Sequence, residues 1–510
     1  MAPARGRASS RCAPLKAGAC GARPPPQCAA PARCRPARKN RESRMNKKTV
    51  LAAALGAVVV AGWAGATYVT GQKLKTALVA QAEGWKAQPG QPQPAFRVTD
   101  VQYRAGLLGA TRTLTLAIGC GAETTPLTWR DDIRHGPLPG FAGFGAARID
   151  SSLVLSAEQQ AQLKKLLGDA QTQLSLRTLV AYNGGYKTQL EVPALRIKSP
   201  EGGDFEFKGA SAWVQVRADG GARYEASLPS YAVSAPGQGP APGMRFVVTD
   251  AKLQGEGYAP MWWALSGKGS GSMAAMNFET VAADGQRKPM FTLKNMKYTQ
   301  DGGIAGGLYQ ASGSLQAQGQ IGSLPLDAVT MKFSLKQLHA QSYAALMGAL
   351  MNTGCPSKDP AADPMAALQP MLAPLKELLP QNPQISMDEL SVTLGGQTAK
   401  MSYQLGFNGI TAAETEGAAL MPALMQKMAL RMGVEAPVAL LPKLGEALGQ
   451  PLPPELIDQQ LAQAEGQGFI VRTGDSISAK FELREGAALV NGKPIAVPGL
   501  PGQGAAPAAR

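Results

Sequence analysis

Beyond about residue 96, apolar and polar positions alternate with a period of two over many short stretches. In Asp204-Phe205-Glu206-Phe207-Lys208 the aromatic rings fall on one face and the charges on the other. Val329, Met331, Phe333 and Leu335 alternate with Thr330, Lys332, Ser334 and Lys336. Near the C-terminus Phe481 and Leu483 alternate with Lys480, Glu482 and Arg484. This period predicts half-buried antiparallel strands. Asn183-Gly184-Gly185, Asp219-Gly220-Gly221, Asp301-Gly302-Gly303 and Asn491-Gly492 are read as the hairpin turns between them, since these residues tolerate positive φ.

A different period appears elsewhere. Ala157–Gln171 sets Leu163, Leu166 and Leu167 on one helical stripe, and Ala344–Met351 is a longer apolar segment. Met365–Leu379 and Ala418–Ala464 are rich in Leu, Met and Ala but cut by prolines, which predicts short helices. Leu420, Leu424 and Met428 form one such stripe. The pattern predicts an α+β chain: a single membrane-anchor helix, then a large, predominantly antiparallel β-sheet body with amphipathic helices, more helical towards the C-terminus.

The anchor is the run Thr49–Gln72, which holds no Lys, Arg, His, Asp or Glu and follows Met45-Asn46-Lys47-Lys48. As a helix it would extend about 36 Å, enough to cross a bilayer. Ala64-Gly65-Ala66 offers a cleavage site, but the length of the run, with Trp63 and Tyr68 near its outer end, favours a retained anchor. In a bacterium the body would then be periplasmic. The expected organisation is a basic extension over 1–44, an anchor or signal-anchor over 45–72, a linker over 73–95 and a β-rich region over 96–350. A helix-rich insertion with strands near 385–410 follows over 351–465, then C-terminal strands over 466–498 and a tail over 499–510.

Charge and cysteine content change the picture at one end only. The chain carries a formal charge of +15, but from Met45 onward 40 basic residues face 35 acidic ones. The excess sits in the extension, whose Arg, Ala and Pro content cannot build a core and reads as translated sequence upstream of the natural start at Met45. The remaining balance is no nucleic-acid footprint. Four of the six cysteines lie in the extension, at spacings unsuited to zinc. Cys120 and Cys355 are the two in the body; a periplasmic location would permit them to pair, and pairing and non-pairing both stay open.

Candidate chemistry is thin, and no catalytic, cofactor or metal site is expected. Asp131-Asp132-Ile133-Arg134-His135 brings carboxylates near an imidazole, but metal sites need three or four convergent ligands. Gly267-Lys268-Gly269-Ser270-Gly271-Ser272 lacks phosphate-loop spacing and reads as a hairpin turn. His339, beside Leu338, reads as a packed core residue. His135-Gly136-Pro137-Leu138-Pro139 is a loop stiffened by two prolines, where a structural imidazole can both donate and accept.

Several of these strings together resemble the YdgA-like bacterial proteins, a domain-of-unknown-function family. They are Met45-Asn46-Lys47-Lys48, the anchor end Tyr68-Val69-Thr70-Gly71, and Ile133-Arg134-His135-Gly136-Pro137-Leu138. Gly486 and Leu489-Val490-Asn491-Gly492-Lys493 complete the set. The resemblance implies an inner-membrane-anchored protein facing the periplasm, with His135, Gly136 and Pro137 in a family-motif loop and no catalytic residues to transfer. Two functions are expected from here. One is a non-enzymatic binding or scaffold protein of the envelope, with a homodimer or an envelope protein as partner. The alternative is an AsmA-like lipid-binding or lipid-transport protein, with an apolar groove on a curved sheet and Trp262 and Trp263 as contacts. An open apolar trough would favour the lipid reading and a filled sheet core the scaffold.

Overall fold

The computed structural model describes residues 47–495 other than 84–85, 87–95, 107, 121–122, 142, 168–173, 199–201, 238–241, 262–263, 283, 353–363 and 448–452. Helix α1 (Lys47–Glu83) comes first. It is followed by β1 (Phe96–Ala105), β2 (Gly109–Cys120), β3 (Glu123–His135) and β4 (Ala147–Val154). Helix α2 (Ala157–Leu167) leads to β5 (Ser175–Val180), β6 (Tyr186–Val192), β7 (Leu195–Lys198), β8 (Asp204–Phe207) and β9 (Ala210–Val216). The long strands are β10 (Gly221–Ala235), β11 (Gly243–Met261), β12 (Ala264–Val281), β13 (Arg287–Ala305), β14 (Leu308–Ile321) and β15 (Leu324–His339). Helices α3 (Ala340–Asn352) and α4 (Pro364–Leu378) precede β16 (Gln384–Leu394) and β17 (Gln397–Phe407). Helix α5 (Leu420–Lys427), β18 (Met428–Pro437), α6 (Leu440–Ala447) and α7 (Pro454–Gly466) come next. The chain ends with β19 (Val471–Thr473), β20 (Ser476–Arg484), β21 (Ala487–Val490) and β22 (Lys493–Ile495).

Among the described residues, all 22 strands form one antiparallel sheet. Nearly every strand pairs with its neighbour in sequence, so the sheet is a meander. Where a helix pair intervenes, β15 still returns to β16 and β18 to β20. The sheet runs through the boundaries expected at 350 and 465. The predicted alternations form strands β8, β15 and β20. Phe205 and Phe207 pair with Val233 and Tyr231 on one face.

A line of irregularities crosses the middle of the sheet. Asp250 in β11 and Asn295 in β13 take positive φ, 48° and 52°. The register skips beside Asn295, between Lys294 and Lys297, then between Ala317 and Gly319, and between Leu326 and Ala328. One extra residue in a strand reverses which face its alternating side chains take. Leu293 and Met296 are three apart, yet both pack in one cluster with Ala317, Val329, Val392 and Leu440. The bulges thus hold the apolar side chains of both strand halves on one face, although the simple period would have divided them.

Four expectations are corrected. The helix expected to end at Gln72 continues to Glu83, so 73–83 is not linker. Met428 does not continue the α5 stripe but opens β18, because Leu430, Met432 and Val434 pair between β17 and β20. Gly267–Ser272 is no turn: it lies inside β12, paired on both sides. Asp301-Gly302-Gly303 lies inside β13, and the chain turns instead at Gly306-Gly307, both with positive φ.

Among the described residues no helix is long and apolar enough to cross a membrane. The last part of the uncharged run is occupied otherwise, since Thr67 and Gly71 are buried.

Candidate functional site: an apolar groove between α1 and the sheet

Thr67, Gly71, Leu74, Leu78 and Ala82 recur at helical spacing and make one stripe of α1. Leu74 and Leu78 pack with Ala110, Ile133, Ala147 and Ile149. Ala82 packs with Val98, Leu114 and Leu116. Leu74 and Leu78 are half-buried, so each stabilises the docking by less than the ~1.5–3 kcal/mol of a fully buried Leu. At the other end of the stripe the Thr67 hydroxyl donates to the Gly136 carbonyl. Gly71 sits against the buried His135 ring; a Cβ there would lie 2.5 Å from Cε1 and 2.7 Å from Nδ1. Only glycine lets the helix approach this closely.

Alongside this stripe runs a groove of about 890 Å³. Leu74, Ala77, Leu78 and Gln81 of α1 form one wall. The floor is Leu114, Leu116 and Ile118 of β2, Leu127 and Trp129 of β3, Ile149 and Leu153 of β4, then Leu176, Val180 and Tyr186. Ile118, Leu153 and Tyr186 are exposed, so the apolar lining opens to its surroundings. The volume falls within the range of small-molecule sites, about 300–1,000 Å³.

One charged pair lies in the groove. Arg112 and Asp131 face each other across β2 and β3, with Nη2 2.6 Å from Oδ2. The Arg112 Nε–H donates to Oδ2 at 2.7 Å and Nη1–H to the Leu78 carbonyl of α1 at 3.0 Å. Trp129 Nε1–H donates to the other carboxylate oxygen at 3.1 Å. Both charges are buried, and each is matched by hydrogen bonds, as burial requires. The pair ties α1 to the sheet. Tyr103, opposite Arg112 in β1, has its hydroxyl pushed above the ordinary 10.0 by burial, which outweighs the pull of the guanidinium.

The residues singled out from the sequence fall in three places. His135 and Gly136 lie beside α1 and touch its Thr67 and Gly71, while Pro137 follows in the same loop; none lines the groove. Asp131 and Asp132 point to opposite faces: Asp131 binds Arg112, and Asp132 binds Arg130 at 2.9 Å. Among the described residues no three His, Cys, Asp or Glu side chains gather as metal ligands. Trp262, Trp263 and Cys355 lie outside the described residues, as does the Cys120 side chain, so the expected apolar contacts and the disulfide do too.

His339 is not simply packed in a core. Its Nδ1 is 2.7 Å from the Ser342 hydroxyl, which donates to Glu377 at 2.9 Å. That order differs from a hydrolytic triad, where the acid orients the imidazole and the serine stays open to substrate. Here the carboxylate accepts the serine's hydrogen bond directly, and Ser342 is buried. The Ser342–Glu377 bond joins the start of α3 to α4.

The apolar groove expected from the sequence has Trp262 and Trp263 as its contacts, and this lining is not singled out there. Its signal was present in Arg112, Leu114 and Leu116 alternating with threonines, and in Leu127, Trp129, Asp131 and Ile133 at the same period. Residues 45–498 match the family described as a bacterial protein of unknown function, DUF945. No curated protein and no solved structure matches.

Proposed function

The chain belongs to the DUF945 family of bacterial proteins of unknown function, and from that premise we propose that it binds the acyl chain of a lipid in the groove between α1 and β2–β6. The observation that carries this reading is the open apolar lining itself, about 890 Å³ bounded by leucines, isoleucines and a tryptophan. An acyl chain is the ligand that gains most there, about 0.8 kcal/mol for each methylene removed from water. The uncharged stretch Thr49–Ala66, ahead of the docked part of α1, supports anchoring at the inner membrane, where such chains are available, and the lysines before it support a body in the periplasm. The role is binding rather than catalysis, because the one charged pair among the groove's lining residues, Arg112–Asp131, is spent on holding α1.

The test is lipid mass spectrometry on the full chain purified in mild detergent. Wild-type protein is expected to carry acyl-bearing molecules. Leu153→Glu, at an exposed lining position, is expected to lose them by about tenfold or more while melting as wild type does, since a carboxylate is costly in an apolar site. Wild-type protein free of acyl chains, with crosslinking that traps a like chain or an envelope protein, would favour the scaffold reading instead.

A further inference from the structure

The apolar floor does not stop at β6. Residues directly opposite on neighbouring strands share a face. Thr188, at the groove's edge, pairs with Val214, which pairs with Tyr224. Tyr224 pairs with Gly255, and Gly255 with Gly269. One row over, Leu253 pairs with Gly271 and Gly271 with Tyr298, which pairs with Leu315. Below the line of bulges, Val233, Phe246 and Phe278 continue in register on strands β10–β12.

Glycines make part of this surface bare backbone. Tyr224 lies across two of them: a Cβ at Gly255 would be 2.5 Å from its hydroxyl, and one at Gly269 would be 3.1 Å from it. Phe333 lies across Gly313 in the same way and stacks on Tyr298 at 6.4 Å. Aromatic rings laid along a glycine row leave a low, smooth apolar floor, and a mid-strand glycine marks a place where another group can approach closely. The helices cover the flanks, α1 over β1–β4 and α6 at the Leu326–Leu394 cluster. Between them Val233, Met244 and Leu253 are 36%, 53% and 42% exposed. An apolar face left open over several strands is a binding surface rather than an accident of folding.

We propose that this central lane is a second acyl-chain site, continuous with the groove, so that a lipid chain can pass from the α1 groove across β9–β13. The inference rests on the groove's reading as an acyl-chain site. Its occupant follows from continuity: the lane opens from the groove's own edge at Tyr186 and Thr188, and nothing charged interrupts the paired rows named above.

The experiment uses the purified full chain and a phosphatidylethanolamine whose palmitoyl chain bears a diazirine, with labelled peptides mapped after irradiation. Label is expected both on groove peptides from α1 and β2 and on lane peptides containing Leu253 and Gly271. Leu253→Glu, at an exposed position, is expected to lower lane labelling about tenfold while groove labelling stays within about twofold of wild type. Groove label with a silent lane in the wild-type protein would overturn the lane and leave the groove standing. Lane label that Leu253→Glu leaves unchanged would overturn it too, and label in neither place would remove both readings.

Discussion

Replacing Gly71 by alanine tests how closely α1 approaches the sheet, because two effects of known size oppose each other there. In an exposed helix interior the change stabilises by about 1 kcal/mol, since glycine is the poorer helix former. Against the sheet it drives a methyl group into the His135 ring, with 2.5 Å available to Cε1. Overpacking of that kind costs about 1–3 kcal/mol. The ring is buried and cannot swing into solvent. The expected result is a net loss of about 1 kcal/mol in docking of α1. In a His135→Ala background the obstacle is gone, and the same substitution should stabilise by about 1 kcal/mol. His135→Ala alone should lower stability by leaving a void. The two changes should therefore couple by about 2 kcal/mol, within the range for residues in contact. Hydrogen exchange of peptides covering 67–83 reads the opening of α1 directly and does not require the whole chain to unfold in one step. If Gly71→Ala slows exchange while His135 is present, the helix is not seated on the loop and the reasoning fails.

The remaining predictions concern charges. Arg112→Met or Asp131→Asn alone should destabilise by about 3–5 kcal/mol in urea melts, because each strands a buried partner, whereas an apolar replacement of both should lie near neutral. Equal losses from single and double changes would sink that account. Glu414 accepts from Lys427 at 2.6 Å and from the Thr411 amide and hydroxyl at 2.8 Å. These bonds, the lysine's first, lower its carboxyl from 4.5 to about 2. Its contribution to stability is thus full above about 4.5 and is lost as the pH falls towards 2. An NMR titration of Glu414 with a midpoint near 4.5, or one unmoved by Lys427→Met, would contradict this.

What could be read from the sequence was what depends on near neighbours. Strands β8, β15 and β20 each carry their own alternation, and Asn183-Gly184-Gly185, Asp219-Gly220-Gly221 and Asn491-Gly492 carry the backbone freedom that a turn needs. The glycine runs at 267–272 and 301–303 misled because glycine serves a turn and a flat mid-strand row equally well; only pairing on both sides distinguishes them. Leu430, Met432 and Val434 held a readable period of two that the helical stripe ending at Met428 obscured. The positive φ at Asp250 and the bulge at Asn295 break the period they interrupt, so no local pattern announces them. The groove needed more still. Arg112 and Asp131 are 19 positions apart, and Leu78 is a further 34 from Arg112, so their meeting is set by register and by helix docking.

The order of the strands has a consequence for how the chain acquires this sheet. Since almost every strand pairs with the one just made, each hairpin closes over a short loop and adds to an edge already present, at little entropic cost. A chain emerging from its N-terminus can grow the sheet one strand at a time without waiting for distant sequence, and contacts of low sequence separation form fast. At every stage, however, the newest strand leaves its outer amides and carbonyls unpaired, a template for any other extended segment nearby. The interval most open to such pairing comes after β15, when the 44 residues from Ala340 to Pro383 must pass before β16 covers that edge. Stalled or truncated chains ending within that interval would be the ones most prone to aggregate.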